Sequence, residues 1–270
     1  MVSFPNAKIN LGLDIIEKRP DGFHNIESCF YPVQWTDVIE IIPSKENNFS
    51  SSGIPIPGDP SSNLCMKVYE ALKKDFALSP VHFHLLKNIP IGAGMGGGSS
   101  DAAFTAKLLN EIFELNLSSS QLEDYVRPLG SDCAFFVNNK PVFAYEKGDR
   151  FKNIESVLKG YYISIIYPEL HISTKEAYSG VIPQKPEVGI EQILRKAPAE
   201  WKHLLKNDFE TALFPKYPVL KEIKEQLYTQ GAVYASMTGS GSAVYGIFKE
   251  EKDIKPLFSS SYKIWQGILE

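Results

Sequence analysis

The segment from Pro90 to Ala103, PIGAGMGGGSSDAA, has the composition of an anion-binding loop. Glycine stands at 92, 94, 96, 97 and 98, a density that costs backbone entropy unless something must approach the bare main chain. A helix that begins at the following SSDAA would turn its unpaired N–H groups and the positive end of its dipole toward a bound anion. The segment therefore predicts a strand, a glycine-rich loop and a helix N-terminus that together bind phosphate.

Three other interpretations of this segment fit less well. A Walker loop, GxxxxGK(S/T), requires a lysine where Gly98 stands, so that class is excluded. The spacing from Gly92 to Gly97 matches GxGxxG, but a dinucleotide-binding fold places that pattern after its first strand, with an acidic residue about 20 positions further on. A purely structural glycine turn is disfavoured because Ser99 and Ser100 follow at the expected start of a helix.

Two further segments carry polar groups that could react. In PNAKINLGLDI, Lys8 and Asn10 share one face of a predicted strand, although a lysine this near the N-terminus, taken alone, is ordinarily solvated. In LGSDCAFFV, Asp132 precedes an apolar segment that we expect to be a strand. A carboxylate at such a position is either a cap or a functional group, and the residues alone leave both open.

Glycine and histidine residues give weaker signals elsewhere. MTGSGSAVYG places Gly239 and Ser240 between two predicted strands, where a tight hairpin is the ordinary interpretation. His24 in DGFHN, taken alone, is typical of a turn. His82 and His84 share one face of a predicted strand, and the sequence has no HExxH pattern, so we expect no structural metal site.

Strands and helices in the first half of the chain must position these groups. Residues 7–43 predict extended segments broken at RPDG and near WTD, and VHFHLLK and PVFAYEKGDRF also predict strands. Helices are predicted in LCMKVYEALKKDF, with Asn63 or Ser62 as N-cap, in SSDAAFTAKLLNEIFEL and in SSSQLEDYVRPLG. The polar stretch ENNFSSSGIPIPGDPSSN predicts a surface loop.

The second half repeats this mixture. We expect a buried strand in GYYISIIYP and helical stretches around 190–196 and 201–213. A further helix in PVLKEIKEQLYTQG should end at Gly231, and two strands should flank the turn at Gly239. The pattern predicts an α+β chain in two halves.

Composition restricts the class of protein. The chain has 270 residues, 43% of them hydrophobic and 22% charged, with a formal net charge of −4, which argues against duplex nucleic acid as the main partner. Three scattered cysteines are typical of a reducing cytoplasm. The N-terminal residues predict no signal peptide, and no segment approaches the roughly 20 apolar residues of a membrane span.

Three of these segments, PNAKINLGLDI, PIGAGMGGGSSDAA and MTGSGSAVYG, resemble in order the three motifs of the GHMP kinase superfamily. The resemblance implies an α+β fold of two domains, a ribosomal protein S5 domain 2-like N-terminal domain and an α/β C-terminal domain, with the active site in the cleft between them. We place the ATP-binding domain at residues 1–152 and the substrate-binding domain at residues 153–270.

The stretch RPDGFHNIES resembles members of this superfamily that act on a methylerythritol linked to cytidine diphosphate. The implied activity transfers the γ-phosphoryl group of ATP to the 2-hydroxyl group of the methylerythritol unit, on the non-mevalonate route to isoprenoid precursors. Asp132 matches the catalytic aspartate that would accept the hydroxyl proton, and Lys8 matches the lysine that would keep this aspartate ionised and orient the hydroxyl.

The resemblance also implies the binding residues. Those implied for ATP are Asn63 near the adenine, and Pro90, Gly92, Gly94, Met95, Gly96, Gly97, Gly98, Ser99 and Ser100 around the triphosphate. Those implied for the substrate are Asn10, Phe23, His24, Thr174, Tyr178, Gly239 and Ser240, with Phe23 standing where the family more often has tyrosine. Mg²⁺ would be held mainly by ATP, with Ser99 or Ser100 nearby.

Two alternatives remain open at this point. One is a sibling kinase acting on another small alcohol, such as homoserine or mevalonate, and the other is a nucleotide-binding protein that has kept the fold without catalysis. The first is disfavoured by RPDGFHN, and the second by the presence of both Lys8 and Asp132. We expect a cytoplasmic monomer or weak homodimer that uses ATP and Mg²⁺ and engages neither nucleic acid nor membrane.

Overall fold

A computed structural model of the chain describes residues 1–155 and 158–270. The strands in these residues are β1 Val2–Ser3, β2 Asn6–Lys18, β3 His24–Thr36, β4 Val38–Pro43, β5 Asn48–Gly53, β6 Val81–Lys87, β7 Val142–Tyr145, β8 Arg150–Asn153, β9 Tyr162–Tyr167, β10 Tyr234–Met237, β11 Val244–Phe248 and β12 Lys263–Ile268. The α-helices are α1 Leu64–Lys73, α2 Gly97–Ile112, α3 Ser119–Val126, α4 Phe135–Asn138, α5 Thr174–Ser179, α6 Ile190–Leu194, α7 Asp208–Leu213 and α8 Pro218–Thr229.

The chain divides into two compact units. Unit one comprises residues 1–7, 35–91 and 96–140, and unit two comprises residues 8–34, 92–95 and 141–270. The glycine-rich segment therefore contributes residues to both units. The α+β class is confirmed, whereas the family domain boundary expected at residue 152 stays a prediction.

Unit one contains a four-stranded sheet in the order β1-β4-β6-β5. Strands β4 and β6 are antiparallel, with Ile41 opposite Phe83, and β5 runs parallel to β6. The predicted alternation in β6 is confirmed, because Val81, Phe83 and Leu85 are buried and the intervening histidines are half-buried. The glycine-rich segment follows β6, an inner strand of this sheet.

Helices α1 and α2 of unit one follow the predicted signals. The side chain of Asn63 caps α1 by accepting a hydrogen bond from the N–H of Cys65, at 2.9 Å. In α2 the small residues Ala102, Ala103 and Ala106 are completely buried. Close packing at the start of α2 is thus possible because the side chains there are short.

Unit two contains two four-stranded sheets, in the orders β10-β11-β9-β12 and β2-β3-β7-β8. Helix α8 buries Leu220, Ile223 and Leu227 in a hydrophobic core that also includes Val244 of β11. Gly231, with φ of +93°, follows the end of α8, so the predicted stop is confirmed.

Three expectations about local structure are corrected. The segment CAFFV is not a strand: residues 132–134 form turns that lead into α4, whose C-cap is Asn139 with φ of +52°. A short apolar run buried on all sides has no periodicity that distinguishes strand from helix. The Asp132 carboxylate therefore precedes a helical turn.

The other two corrections concern polar stretches. The expected loop at residues 46–63 contains β5, an edge strand whose serines give no apolar alternation. The expected helix at 201–213 is divided into a 3₁₀ helix at Pro198–His203 and α7, which is capped by the side chain of Asn207. Asn207 begins a new helix because its side chain accepts from the N–H of Phe209. Among the described residues no helix is long and apolar enough to cross a membrane.

Candidate active site

Residues 92–95 of the glycine-rich segment are bound into unit two by main-chain hydrogen bonds. The N–H of Lys8 in β2 donates to the carbonyl of Met95 at 3.0 Å, and the N–H of Ala243 donates to the carbonyl of Ala93 at 3.2 Å. Within unit two, the first predicted motif and the turn of the third are therefore both attached to the start of the second. Pro90 and the side chain of Met95 are buried.

Two glycines face each other where the second and third motifs meet. A Cβ atom at Gly94, which has φ of +78°, would overlap the carbonyl oxygen of Thr238. A Cβ atom at Gly239 would lie 2.8 Å from the carbonyl oxygen of Gly94. Close approach of the two main chains thus requires glycine at both positions. Ser240 follows, half-buried in the turn.

The turn of the third motif is supported by a residue that the sequence did not single out. Asn207 is almost completely buried and donates from Nδ2 to the carbonyls of Met237 and Gly239, at 2.8 and 2.9 Å. Its main signal in the sequence was its position before α7, which indicates a cap and says nothing about the turn.

The remaining glycines of the segment form the start of α2 in unit one. Gly96 is the N-cap, with φ of +70° and no side chain to cap the helix, and the first main-chain bond runs from the N–H of Ser100 to the carbonyl of Gly96, at 2.9 Å. The N–H groups of residues 97–99 therefore lack partners within the helix. Gly98 is exposed and Ser99 half-buried, so an anion can reach these N–H groups.

Asp132 lies beside this helix start within unit one. A Cβ atom at Gly96 would lie 3.4 Å from Oδ2 of Asp132 and 3.0 Å from the ring of Phe136. The carboxylate is half-buried in the turn that precedes α4. The predicted base and the predicted phosphate-binding backbone are thus adjacent.

A buried cluster of charges supports the same helix start. The Nζ atom of Lys87 binds Asp37 and also binds Oδ2 of Asp101 at 2.7 Å. A Cβ atom at Gly97 would lie 3.0 Å from this Nζ atom. Asp37 also accepts from the N–H of Ile89 at 2.8 Å, which fixes the chain as it leaves β6. The sequence signal for this cluster was weak, because its members are far apart along the chain.

Lys8 and Asn10 lie together in unit two, as the strand periodicity predicts. Both are buried, and Nζ of Lys8 donates to Oδ1 of Asn10 at 2.6 Å. The same Nζ atom lies 4.7 Å from the centre of the Phe30 ring. Lys8 is therefore held in a defined direction, and the solvated position that a lysine near the N-terminus would ordinarily take is not observed.

Two of the three aromatic residues predicted for the substrate meet in unit two. The rings of His24 and Tyr178 stack with their centres 4.5 Å apart. Burial, with a contribution from the ammonium of Lys18, lowers the pKa of His24, which favours the neutral form of its ring. Phe23 is 56% exposed, and Nζ of Lys147 lies 5.3 Å from its ring centre.

Three other residues predicted to bind ATP or substrate lie in different local environments. Thr174 is exposed at the first position of α5. The side chain of Asn63 is engaged in capping α1, so its predicted place near the adenine stays a prediction. A Cβ atom at Gly92 would lie 2.8 Å from the ring of His171, a neighbour that the sequence did not single out.

No group of three His, Cys, Asp or Glu side chains among the described residues is placed to hold a metal ion. The hydroxyl of Ser100, however, is buried at the start of α2 and has no hydrogen-bond partner among the described residues. A hydroxyl in this place suits Mg²⁺, which is usually bound through phosphates and one or two protein oxygens.

Comparison with known proteins places the chain among kinases. Residues 63–140 match the GHMP kinases N terminal domain, and residues 190–260 match the GHMP kinases C terminal domain. A 4-diphosphocytidyl-2-C-methyl-D-erythritol kinase of Cytophaga hutchinsonii is 58% identical over 94% of each chain. One of Bacteroides thetaiotaomicron is 54% identical over 93% of each chain.

Solved structures give the same result. A crystal structure of 4-(cytidine 5'-diphospho)-2C-methyl-D-erythritol kinase has a TM-score of 0.78 and 28% identity, and the match covers 92% of this chain and 90% of that one. The mevalonate kinase of Methanococcus jannaschii has a TM-score of 0.74 with 16% identity, covering 100% of this chain and 98% of the other. This second likeness shows the fold alone.

Proposed function

Because the chain belongs to the 4-diphosphocytidyl-2-C-methyl-D-erythritol kinases of the GHMP kinase family, we propose that it phosphorylates the 2-hydroxyl group of 4-diphosphocytidyl-2-C-methyl-D-erythritol. The γ-phosphoryl group of ATP is transferred, the products are the 2-phosphate and ADP, and the reaction belongs to the non-mevalonate route to isoprenoid precursors. The observation that carries the proposal is the Asp132 carboxylate beside Gly96, at a helix start whose N–H groups are open to an anion.

The triphosphate would bind the main chain of residues 94–100. Its negative charge is stabilised there by N–H groups without helical partners and by the positive end of α2. Gly97 and Gly98 have no side chains and that of Ser99 is short, so the phosphates can approach the main chain. Gly92 and Pro90 would shape the entry to this segment, and Asn63 would lie near the adenine.

Asp132 would act as the general base. Its carboxylate accepts the proton of the attacking hydroxyl as the bond to phosphorus forms, and the phosphoryl group leaves ADP. Lys8 would favour the ionised form of this carboxylate and orient the hydroxyl. Asn10 holds Nζ of Lys8, and Gly239 and Ser240 would line the site.

The cytosine would be recognised by the aromatic residues of unit two. Phe23 offers an exposed face for stacking, and the rings of His24 and Tyr178, now in contact, could part to receive a flat base. A neutral His24 can donate one hydrogen bond to the base and accept another. Thr174, exposed at the start of α5, would contact the substrate beside Tyr178.

Mg²⁺ would be held mainly by the β- and γ-phosphates, with the hydroxyl of Ser99 or Ser100 as the protein oxygen. When bound, the ion neutralises charge on the transferring group. We further propose that the enzyme works in the cytoplasm as a monomer or weak homodimer, without nucleic acid or membrane.

The test is ATP turnover with a panel of acceptors. We expect ADP formation with the cytidine diphosphate-linked methylerythritol, a 2-phosphate product by ³¹P NMR, and no turnover with homoserine or mevalonate. Asp132→Asn should lower kcat by about 10²–10⁴-fold, whereas the matched control Asp149→Asn, in the loop between β7 and β8, should not.

Turnover of homoserine or mevalonate instead would establish a sibling kinase. ATP binding without turnover of any acceptor would establish a nucleotide-binding protein that has lost catalysis. Full activity of Asp132→Asn would overturn the assignment of the base while leaving the substrate assignment in place.

A further inference from the structure

In unit two, the side-chain amide of Asn10 is contacted by Ser28 and Thr238, two residues that have no role in the proposed reaction. Asn10 is 1% exposed, and Ser28 and Thr238 beside it are completely buried. An amide side chain has nearly the same shape after a half-turn, which exchanges its accepting oxygen for its donating nitrogen. The environment must therefore decide which of the two atoms faces Lys8.

Ser28 in β3 decides the direction on one side of the amide. Its Oγ atom lies 2.6 Å from the carbonyl oxygen of Gly12 and 2.9 Å from Nδ2 of Asn10. A carbonyl can only accept, so the single hydroxyl hydrogen of Ser28 is used on Gly12. Ser28 then has only lone pairs to offer Asn10, and these require the amide nitrogen.

Thr238 contacts both the main chain and the side chain of Asn10 from the other side. Its Oγ1 atom accepts from the main-chain N–H of Asn10 at 3.1 Å and lies 3.2 Å from both Oδ1 of Asn10 and the carbonyl of Gly94. The hydroxyl can donate to either oxygen. A reversed amide would instead point its NH₂ group at the ammonium of Lys8, where both groups are donors.

We propose that Ser28 and Thr238 are positioning residues of the phosphoryl-transfer site: they fix the amide of Asn10 so that its oxygen holds Nζ of Lys8. The proposal rests on the proposed function, because it matters for the reaction only if Lys8 takes part. The main chain of Asn10 is fixed as well, since Oη of Tyr245 donates to its carbonyl at 2.7 Å. Loss of the Ser28 hydroxyl therefore frees the side chain of Asn10 and leaves its backbone in place, whereas loss of the Thr238 hydroxyl also removes the acceptor of the main-chain N–H of Asn10.

Steady-state kinetics test this with Ser28→Ala, and with Thr238→Val as an isosteric second variant. Ser28→Ala should lower kcat about tenfold, the effect of losing one hydrogen bond to an orienting group, with KM for ATP unchanged. Ser28→Thr and Thr238→Ser, which keep the hydroxyls, should restore kcat to within about twofold. Ser164→Ala, a buried strand serine elsewhere in unit two, is the matched control.

The Asn10→Ala background separates positioning from a general loss of structure. If Ser28 acts through the amide, Ser28→Ala should have no further effect on kcat when Asn10 is already alanine. An equal loss of kcat in both backgrounds would overturn the proposal, and so would an unchanged kcat in Ser28→Ala.

A measurement independent of turnover keeps the proposal distinct from the proposed function. The side-chain NH₂ signals of Asn10, assigned by their loss in Asn10→Ala, should be protected from hydrogen exchange in the wild-type protein and lose protection in Ser28→Ala. Protection that is the same in both proteins would overturn the positioning role. If the wild-type protein turned over no acceptor while the NH₂ signals behaved as expected, the proposed function alone would fail.

Discussion

Lys8 and Lys87 are both almost completely buried, yet their surroundings differ. Lys87, in unit one, binds the carboxylates of Asp37 and Asp101. Lys8, in unit two, donates to the neutral amide oxygen of Asn10 and lies over the ring of Phe30. Burial by itself would lower the pKa of Lys87, but the two carboxylates reverse this and raise it.

The two kinds of partner have different effects on a buried ammonium. Carboxylates neutralise it and tie distant parts of the chain together, since Lys87 at the end of β6 joins Asp37, which precedes β4, to Asp101 of α2. The amide oxygen of Asn10 orients the ammonium of Lys8, because it accepts a hydrogen bond from Nζ at 2.6 Å. We therefore expect Lys87 to stabilise the fold, and we propose that Lys8 serves the reaction, as the family motif implies.

The largest effect is expected from Lys8→Met, which removes the ammonium and keeps a side chain of similar length. We expect kcat to fall by about 10²–10⁴-fold, the range typical of groups that assist proton transfer. Single-turnover kinetics with saturating ATP measure this directly. A kcat within threefold of wild type would show that the reaction does not need the ammonium of Lys8.

The variant Lys87→Met tests the structural role of Lys87. It leaves two carboxylates buried without their cation, so the free energy of unfolding should fall by about 3–5 kcal/mol. Urea unfolding followed by circular dichroism measures the change. The matched control is Lys263→Met, which removes an exposed lysine paired with Glu169 and should change the unfolding free energy by less than about 1 kcal/mol. Equal losses in both variants would contradict the structural role of Lys87.

A smaller effect on stability is expected at Asp14, a buried carboxyl group of unit two. Burial, the Asp208 carboxylate and, more weakly, Glu27 raise the pKa of Asp14 to about 7, against the opposing effect of the Lys206 ammonium. The folded protein therefore binds this proton more tightly than the unfolded chain, and stability falls as pH rises from about 4 to about 7.

Asp14→Asn should remove that part of the decline. The unfolding free energy of the variant relative to wild type should rise by on the order of 1 kcal/mol between pH 4 and pH 8, a value reduced for screening by solvent. Urea unfolding at both pH values measures it. A difference that is constant with pH would show that Asp14 does not titrate in this range.

The sequence predicted the features that depend on near neighbours. Strand periodicity placed Lys8 and Asn10 on one face, and Asn63 was one of the two caps proposed for α1. Glycine density indicated a loop that leads into a helix, although α2 begins at Gly97, two residues before the predicted start at Ser99. Each of these signals lies within a few residues of the feature that it predicts. The assignment of site residues to ATP and substrate remains a prediction drawn from the family motifs.

Contacts between distant residues could not be predicted in this way. Thr238 meets Asn10 across 228 positions, and Lys87 meets Asp37 across 50. Such contacts follow from how strands and turns pair in three dimensions, which periodicity does not specify. The segment CAFFV failed for a related reason, since its burial on all sides removed the periodic signal.

The unfolding free energy of Lys8→Met tests the contrast between the two lysines most directly. Groups that serve a reaction are often held at a cost to stability, so we expect Lys8→Met to leave the unfolding free energy within about 1 kcal/mol of wild type, or to raise it, while kcat falls. A loss of about 3–5 kcal/mol, like that expected for Lys87→Met, would show that Lys8 also stabilises the fold. It would contradict the proposed difference between the two lysines.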